Sequence, residues 1–103
     1  MVVFFDIDGT LVDDDTQIIP DSAAQAIKQL RRNGHTPVVN TGRPYSHIDP
    51  RIRAMDFAAW ICACGMEIRL ESQWLSRSVP DEGLCRYVCA QARRFHVLPL
   101  FEA

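Results

Sequence analysis

Several things are missing from this chain, and each absence narrows what it can be. No apolar run approaches the roughly 18 residues of a membrane-spanning helix. The N-terminus has neither a basic leading stretch nor a small-residue cleavage site, so no secretory leader is expected. The net charge is only −2, with both signs interspersed, so there is no basic excess to offer a nucleic acid or an anionic membrane. Its four cysteines fall as Cys62-x-Cys64 and Cys85-x-x-x-Cys89, and neither pair has the Cys-x-x-Cys spacing common in zinc sites. Cys85 and Cys89 lie one helical turn apart and read as small packing residues. Without a leader, disulfides are not expected either. There is no internal repeat and no low-complexity linker. These absences lead to the expectation of a soluble cytoplasmic protein with no nucleic-acid or membrane partner.

What is present looks like one ordinary globular domain. The chain has 103 residues, 48% of them apolar and 23% charged, which excludes a disordered or collagen-like polymer. Its organising stretch is Val2-Val3-Phe4-Phe5-Asp6-Ile7-Asp8-Gly9-Thr10. Five apolar residues between Val2 and Ile7 predict a strand buried on both faces, as in a parallel sheet. Asp6 interrupts that run, and Asp8 follows two positions later. If extended geometry holds through Asp8, both carboxylates face one crevice at the strand's C-terminal end, where open α/β sheets place their ligands. Two like charges that close repel unless a cation or another positive group offsets them. Asp8-Gly9 can be explained as a simple turn, but an acid at position 6 of an apolar strand is harder to explain structurally.

The next segment, Asp13-Asp14-Asp15-Thr16, lacks the Asp-x-Asp-x-Asp-Gly ladder of a calcium loop and reads as a solvated loop near the site entrance. A helix is predicted from Pro20 to Asn33-Gly34. Ser22 and Gln25 supply a capping box, Ala23, Ile27 and Leu30 an apolar face, and Gly34 a left-handed end. Thr36 to Asn40 is a second strand, joined to the first by a crossover of βαβ length. It ends in Thr41-Gly42-Arg43-Pro44, where a hydroxyl and nearby backbone N–H groups can meet a phosphate. Taken alone, this reads as an ordinary Gly-Arg-Pro turn. Asp49 and Pro50 are predicted to start a short second helix. Ala58 to Ala63 is a third strand, and Glu67 to Arg77 a hairpin. Pro80-Asp81 opens a final helix with Leu84, Val88 and Phe95 on one side. Arg93, Arg94 and His96 near its end suit the helix dipole. Val97 to Phe101 is read as the beginning of another strand.

Phe4-Phe5-Asp6-Ile7-Asp8-Gly9-Thr10-Leu11 resembles the first motif, Asp-x-Asp-Gly-Thr, of the haloacid dehalogenase-like (HAD) phosphohydrolases. Thr41, about thirty residues on and across one helix, resembles the second motif. Cys64-Gly65-Met66-Glu67-Ile68 resembles the Asn-Gly-Ala-x-Ile turn of the Cof-type sugar-phosphatase subfamily, with Cys64 where asparagine is usual. The resemblance implies an α/β fold: the N-terminal portion of a Rossmann-like, three-layer HAD core with a parallel sheet, plus a hairpin. Residues 1–79 would be core and residues 80–103 the opening of a cap domain. It implies magnesium-dependent hydrolysis of a small phosphorylated metabolite, such as a sugar phosphate. Asp6 would be the nucleophile forming an aspartyl-phosphate. Asp8 would be acid and base, with its backbone carbonyl on Mg2+ beside Asp6. Thr41 and Gly42 would bind the phosphoryl group.

The same resemblance shows what the chain does not contain. The one lysine, Lys28, precedes the second motif and cannot be the third-motif lysine, and no Gly-Asp-x-x-Asn-Asp stretch exists. An alternative is therefore a non-catalytic remnant or interaction module, or one piece of a longer or split phosphatase. Without the strands that follow in the family, the first strand would form an open sheet edge able to recruit a second copy or a partner segment.

Overall fold

A computed structural model describes residues 1–101. Five strands form a single sheet in sequence order: β1 (Val2–Phe5), β2 (Thr36–Asn40), β3 (Ala59–Cys62), β4 (Glu67–Leu70) and β5 (Gln73–Arg77). The β1–β2 and β2–β3 pairings are parallel, and β4 and β5 add an antiparallel hairpin. The helices are α1 (Asp21–Arg32), the short α2 (Pro50–Arg53) and α3 (Glu82–Arg94), with 3₁₀ turns at Tyr45–His47 and Ala63–Gly65.

The parallel arrangement follows from the crossover. The α1 helix places Ile27 under the sheet at 1% exposure, and its end is a complete Schellman closure. Gly34 at φ +81° donates to the Arg31 carbonyl, and the His35 N–H donates to the Leu30 carbonyl. The expected capping box at Ser22 does not form. The helix begins at Asp21, Pro20 occupies the N-cap without a side-chain bond, and Ser22 lies inside the first turn. The α2 helix starts as its sequence demands, with the Asp49 carboxylate accepting the Arg51 N–H and Pro50 at the first position.

Register decides which side is the core. Phe5, Val39 and Trp60 are aligned across β1–β3, and all three pack with Ile27, Ile52 and Phe57 in one cluster. Phe4, Val38, Ala59 and Leu70 form the corresponding row on the opposite face, where Phe4 is 59% and Leu70 46% exposed. The first strand is therefore shorter and more open than its apolar run implies. It ends at Phe5, and it sits at the sheet edge with only β2 beside it. A strand is buried on both faces only where other elements cover both, and on this face Val38 of β2 is buried while Phe4 at the sheet edge stays open.

The α3 helix is capped by Asp81, which accepts the Leu84 N–H. Its apolar side is largely uncovered, with Leu84 50% and Phe95 65% exposed. The radius of gyration is 16.5 Å, against about 13 Å for a compact chain of this size. Residues 97–101 do not form the expected strand. The Val97 N–H donates to the Ala92 carbonyl, closing α3 around His96 at φ +54°. With that amide used by the helix end and no neighbouring strand, no ladder forms. Residues 102 and 103, the end of the expected cap opening, lie outside the described residues.

Candidate active site

The first half of the site is a tight turn directly after β1. Ile7 is only 2% exposed, and that anchor turns its neighbour Asp6 out to solvent. The Asp6 carboxylate accepts the Ile7 N–H at 2.8 Å through Oδ1. The Ile7 carbonyl then accepts N–H groups from Thr10, Leu11 and Val12 at 3.2, 2.9 and 3.0 Å, and Gly9 donates to the Val12 carbonyl. Glycine suits this position because Gly9 has φ +73°, a conformation that side-chain-bearing residues rarely adopt. Asp8 is thus positioned by this turn. Extended geometry stops at Phe5, so strand alternation is not what aims the two carboxylates.

The acidic loop that follows is closed on itself. The Asp13 Oδ1 accepts from the Asp15 and Thr16 N–H groups and from the Thr16 hydroxyl. The Thr16 bonds are the main reason the Asp13 carboxyl is held below its ordinary range.

The second half of the site follows β2. Thr41 is 4% exposed and donates its N–H to the Ile61 carbonyl at 2.9 Å. Its Oγ1 accepts the Arg43 N–H at 3.1 Å, so the hydroxyl hydrogen points elsewhere and is free to donate. The Arg43 carbonyl accepts the Ala63 N–H, and the Thr41 carbonyl accepts the Cys64 N–H at 3.4 Å. Gly42 runs close to Cys64, whose Sγ would lie 3.6 Å from a Cβ at that position. Cys64 has φ +54°, a left-handed conformation that asparagine tolerates better than cysteine.

Arg43 joins the two halves. Its Nε donates to Asp8 Oδ2 at 2.8 Å and its Nη2 to Asp8 Oδ1 at 2.5 Å, a bidentate ion pair. That hydrogen bond raises the Arg43 pKa above its already high value, against a smaller effect of burial. A cavity of about 300 Å³ opens beside the pair, lined by Gly42, Arg43, Pro44 and His47.

All four residues singled out from the sequence, Asp6, Asp8, Thr41 and Gly42, therefore stand at the C-terminal ends of the adjacent strands β1 and β2. Direct bonds tie Asp8 to the 41–43 loop, while Asp6 bonds to its own neighbour. Two residues escaped the sequence reading. Arg43 was legible in principle, since an arginine after Thr-Gly at a strand end brings positive charge towards the aspartate pair. Glu67 gave no signal, because its role comes from burial at 6% exposure. It accepts the Tyr45 N–H at 2.9 Å and an Arg77 Nε–H at 3.3 Å. Cys62, fully buried, has its thiol pushed up to about 11 by burial and, secondarily, by the Glu67 carboxylate. Among the described residues, no cluster of three or more His, Cys, Asp or Glu side chains is arranged to hold a metal.

A profile of haloacid dehalogenase-like hydrolases matches residues 3–101. YkrA of Bacillus subtilis (strain 168), provisionally named a phosphatase, is 30% identical over 91 residues, covering 88% of this chain and 35% of YkrA. Among solved structures, the HAD-superfamily phosphatase BT1666 from Bacteroides thetaiotaomicron superposes with a TM-score of 0.78 at 27% identity. That match covers 92% of this chain and 35% of BT1666. BT4131, described as a HAD subclass IIB sugar phosphatase, gives 0.74 at 26% identity, over 91% of this chain and 37% of its own. The chain thus spans about a third of the length of these relatives.

Proposed function

The chain belongs to the haloacid dehalogenase-like hydrolase family, and on that premise we propose that it supplies the nucleophile and phosphate-binding side of a phosphate-monoester hydrolase. The observation that carries this reading is the bidentate Arg43–Asp8 pair, which holds the turn after β1 against the Thr41 loop after β2. The substrate class is a small phosphorylated metabolite, with sugar phosphates favoured by the likeness to BT4131. Residues 1–79 are assigned to the core and residues 80–103 to the opening of a cap.

Asp6 is the nucleophile. Its Oδ1 is engaged by the Ile7 N–H, which leaves Oδ2 to attack phosphorus. The substrate's bridging oxygen departs with its bonding pair and takes a proton from Asp8, leaving a phosphoryl group on Asp6. Water then attacks that phosphorus, Asp8 takes the water's proton, and phosphate leaves with the Asp6 carboxylate restored. Thr41 donates its hydroxyl to a phosphoryl oxygen, with the Gly42 backbone beside it. Both Asp8 oxygens accept from Arg43 in the structure, which leaves one lone pair on each to carry the proton.

The oxygen donors at this turn suit magnesium, which is commonly held by one or two carboxylates together with the substrate phosphate. The Asp6 carboxylate and the Asp8 backbone carbonyl would hold it, since the Asp8 carboxylate is taken by Arg43. Bound there, Mg2+ would offset the repulsion between the Asp6 carboxylate and the phosphate dianion. Charge stabilisation is the main demand of phosphoryl transfer. The only lysine, Lys28, is exposed on α1. Turnover by these 103 residues is therefore expected to be far slower than by longer members of the family. The open β1 edge, with Val2 53% and Phe4 59% exposed, is assigned as the place where a second copy or a partner strand adds to the sheet.

The test is to incubate the chain with an aryl phosphate and Mg2+, quench in acid, and map any phosphoryl adduct by mass spectrometry. The adduct is expected on Asp6, absent in Asp6→Asn and reduced in Thr41→Val. An undiminished adduct in Asp6→Asn would overturn the reading, as would failure of the wild type to form an adduct or to bind inorganic phosphate with Mg2+.

A further inference from the structure

Thr41, just after β2, and Glu67, the first residue of β4, are the buried polar or charged side chains of the described core. A buried carboxylate is costly unless it is paired and hydrogen-bonded, so the partners of Glu67 show what it is there to hold. One oxygen accepts the N–H of Tyr45, two residues after Arg43, at the start of a 3₁₀ turn. The other accepts from Arg77, the last residue of β5. Immediately beyond Arg77, the Ser78 N–H is fixed to the Met66 carbonyl at 2.8 Å, and the chain runs on through Pro80 to α3.

A second route joins the same two places. The Tyr45 ring meets the edges of Trp60 and Trp74, with centroids 5.4 and 5.5 Å away. Arg69 stacks 4.8 Å from the Tyr45 ring, and Arg77 stands 5.1 Å from that of Trp74. Between the 63–67 turn and the β5–α3 linker lies a cavity of about 120 Å³, lined by Ala63, Met66, Glu67, Arg77, Val79 and Pro80 among others. A linker that shifts into this space must move Arg77, and Arg77 pulls on the carboxylate that fixes Tyr45.

We propose that Glu67 is a positioning residue for the 41–45 loop and that, through Arg77, it couples this loop to the linker preceding α3. The proposal rests on the reading of that loop as the phosphate site. A shift of α3 relative to the sheet would thereby adjust Thr41, Gly42 and Arg43 without touching the substrate.

Amide hydrogen exchange on the full chain tests this in wild type, Arg77→Met, Arg77→Lys and Glu67→Gln, with inorganic phosphate and Mg2+ as the binding probe. Arg77 is on an exposed strand, so Arg77→Met remains informative even where Glu67→Gln fails to fold. Exchange at Tyr45 is expected to speed up about tenfold in Arg77→Met, the size of one lost charge-assisted bond. Val39 and Trp60 should stay unchanged, Arg77→Lys should restore most of the protection, and phosphate affinity should fall in step. Tyr45 exchange within about twofold of wild type in Arg77→Met, or equal acceleration at Val39 and Trp60, would overturn the coupling. Lost Tyr45 protection with unchanged phosphate affinity would overturn the positioning role. If wild type takes up no phosphate, the functional reading falls and the exchange data alone decide the coupling.

Discussion

Removing the Arg43–Asp8 pair offers the most direct perturbation of this site. At the ~4 Å separation of charge centres typical of such pairs, Coulomb's law gives about 4 kcal/mol with an effective dielectric of about 20. The two side chains are 43% and 41% exposed, so solvent screening and the entropy of holding both side chains reduce this steeply. Exposed pairs measured by double-mutant cycles give about 0.2–1 kcal/mol. Bidentate geometry, at 2.8 and 2.5 Å, places this one at the upper end. A cycle of Asp8→Asn, Arg43→Met and the double variant, read by urea unfolding in low salt, should therefore give a coupling of about 1 kcal/mol. In about 1 M NaCl, where the screening length shrinks to about 3 Å, the coupling should fall by half or more. A coupling near zero in low salt would mean that Asp8 and Arg43 are not joined in solution. The first turn would then lose its connection to the Thr41 loop. A salt-insensitive coupling would show that the two residues interact by packing instead of charge.

Three further outcomes follow from the structure. Ile27→Ala removes three carbons from the most buried position of α1, which should cost about 2–5 kcal/mol in urea unfolding; a loss below about 1 kcal/mol would show that α1 is not seated in the core. The Asp49 carboxyl is held down to about 2 from an ordinary 3.8, first by its bond to the Arg51 side chain and then by the Arg51 N–H. A depressed carboxylate favours the folded state above its unfolded value and loses that contribution as pH falls through its folded value. NMR titration should find the Asp49 midpoint near the lower figure, and a midpoint at the ordinary value would mean that the α2 cap is open. Finally, light scattering with amide exchange should show that the purified chain self-associates through β1. A monomer at high concentration with unprotected Val3 and Phe5 amides would count against edge pairing.

The amino-acid sequence by itself determined the order of elements and the residues at their ends. Gly34 and Pro50 act through their own backbones, and Asp49 and Asp81 through carboxylates that cap N–H groups two or three residues on, so α1, α2 and α3 were legible to within a few residues. The apolar runs of β2 and β3 and the Glu67–Arg77 hairpin were legible for the same reason, as was the placement of Asp6, Asp8, Thr41 and Gly42 just beyond the ends of β1 and β2. What depends on distant parts of the chain was not legible. The exposure of Phe4 reflects what covers the far face of the sheet, which an apolar run cannot report. The aim of Asp8 is set by the Ile7-centred turn and by Arg43, thirty-five positions away. Residues 97–101 look like a strand locally, but a strand requires a partner with free hydrogen-bonding groups, and α3 claims the Val97 amide first. Glu67 is the extreme case. It is one acid among thirteen acidic residues, and only its burial between Tyr45 and Arg77 makes it matter, because a charge withdrawn from water must find its partners in three dimensions.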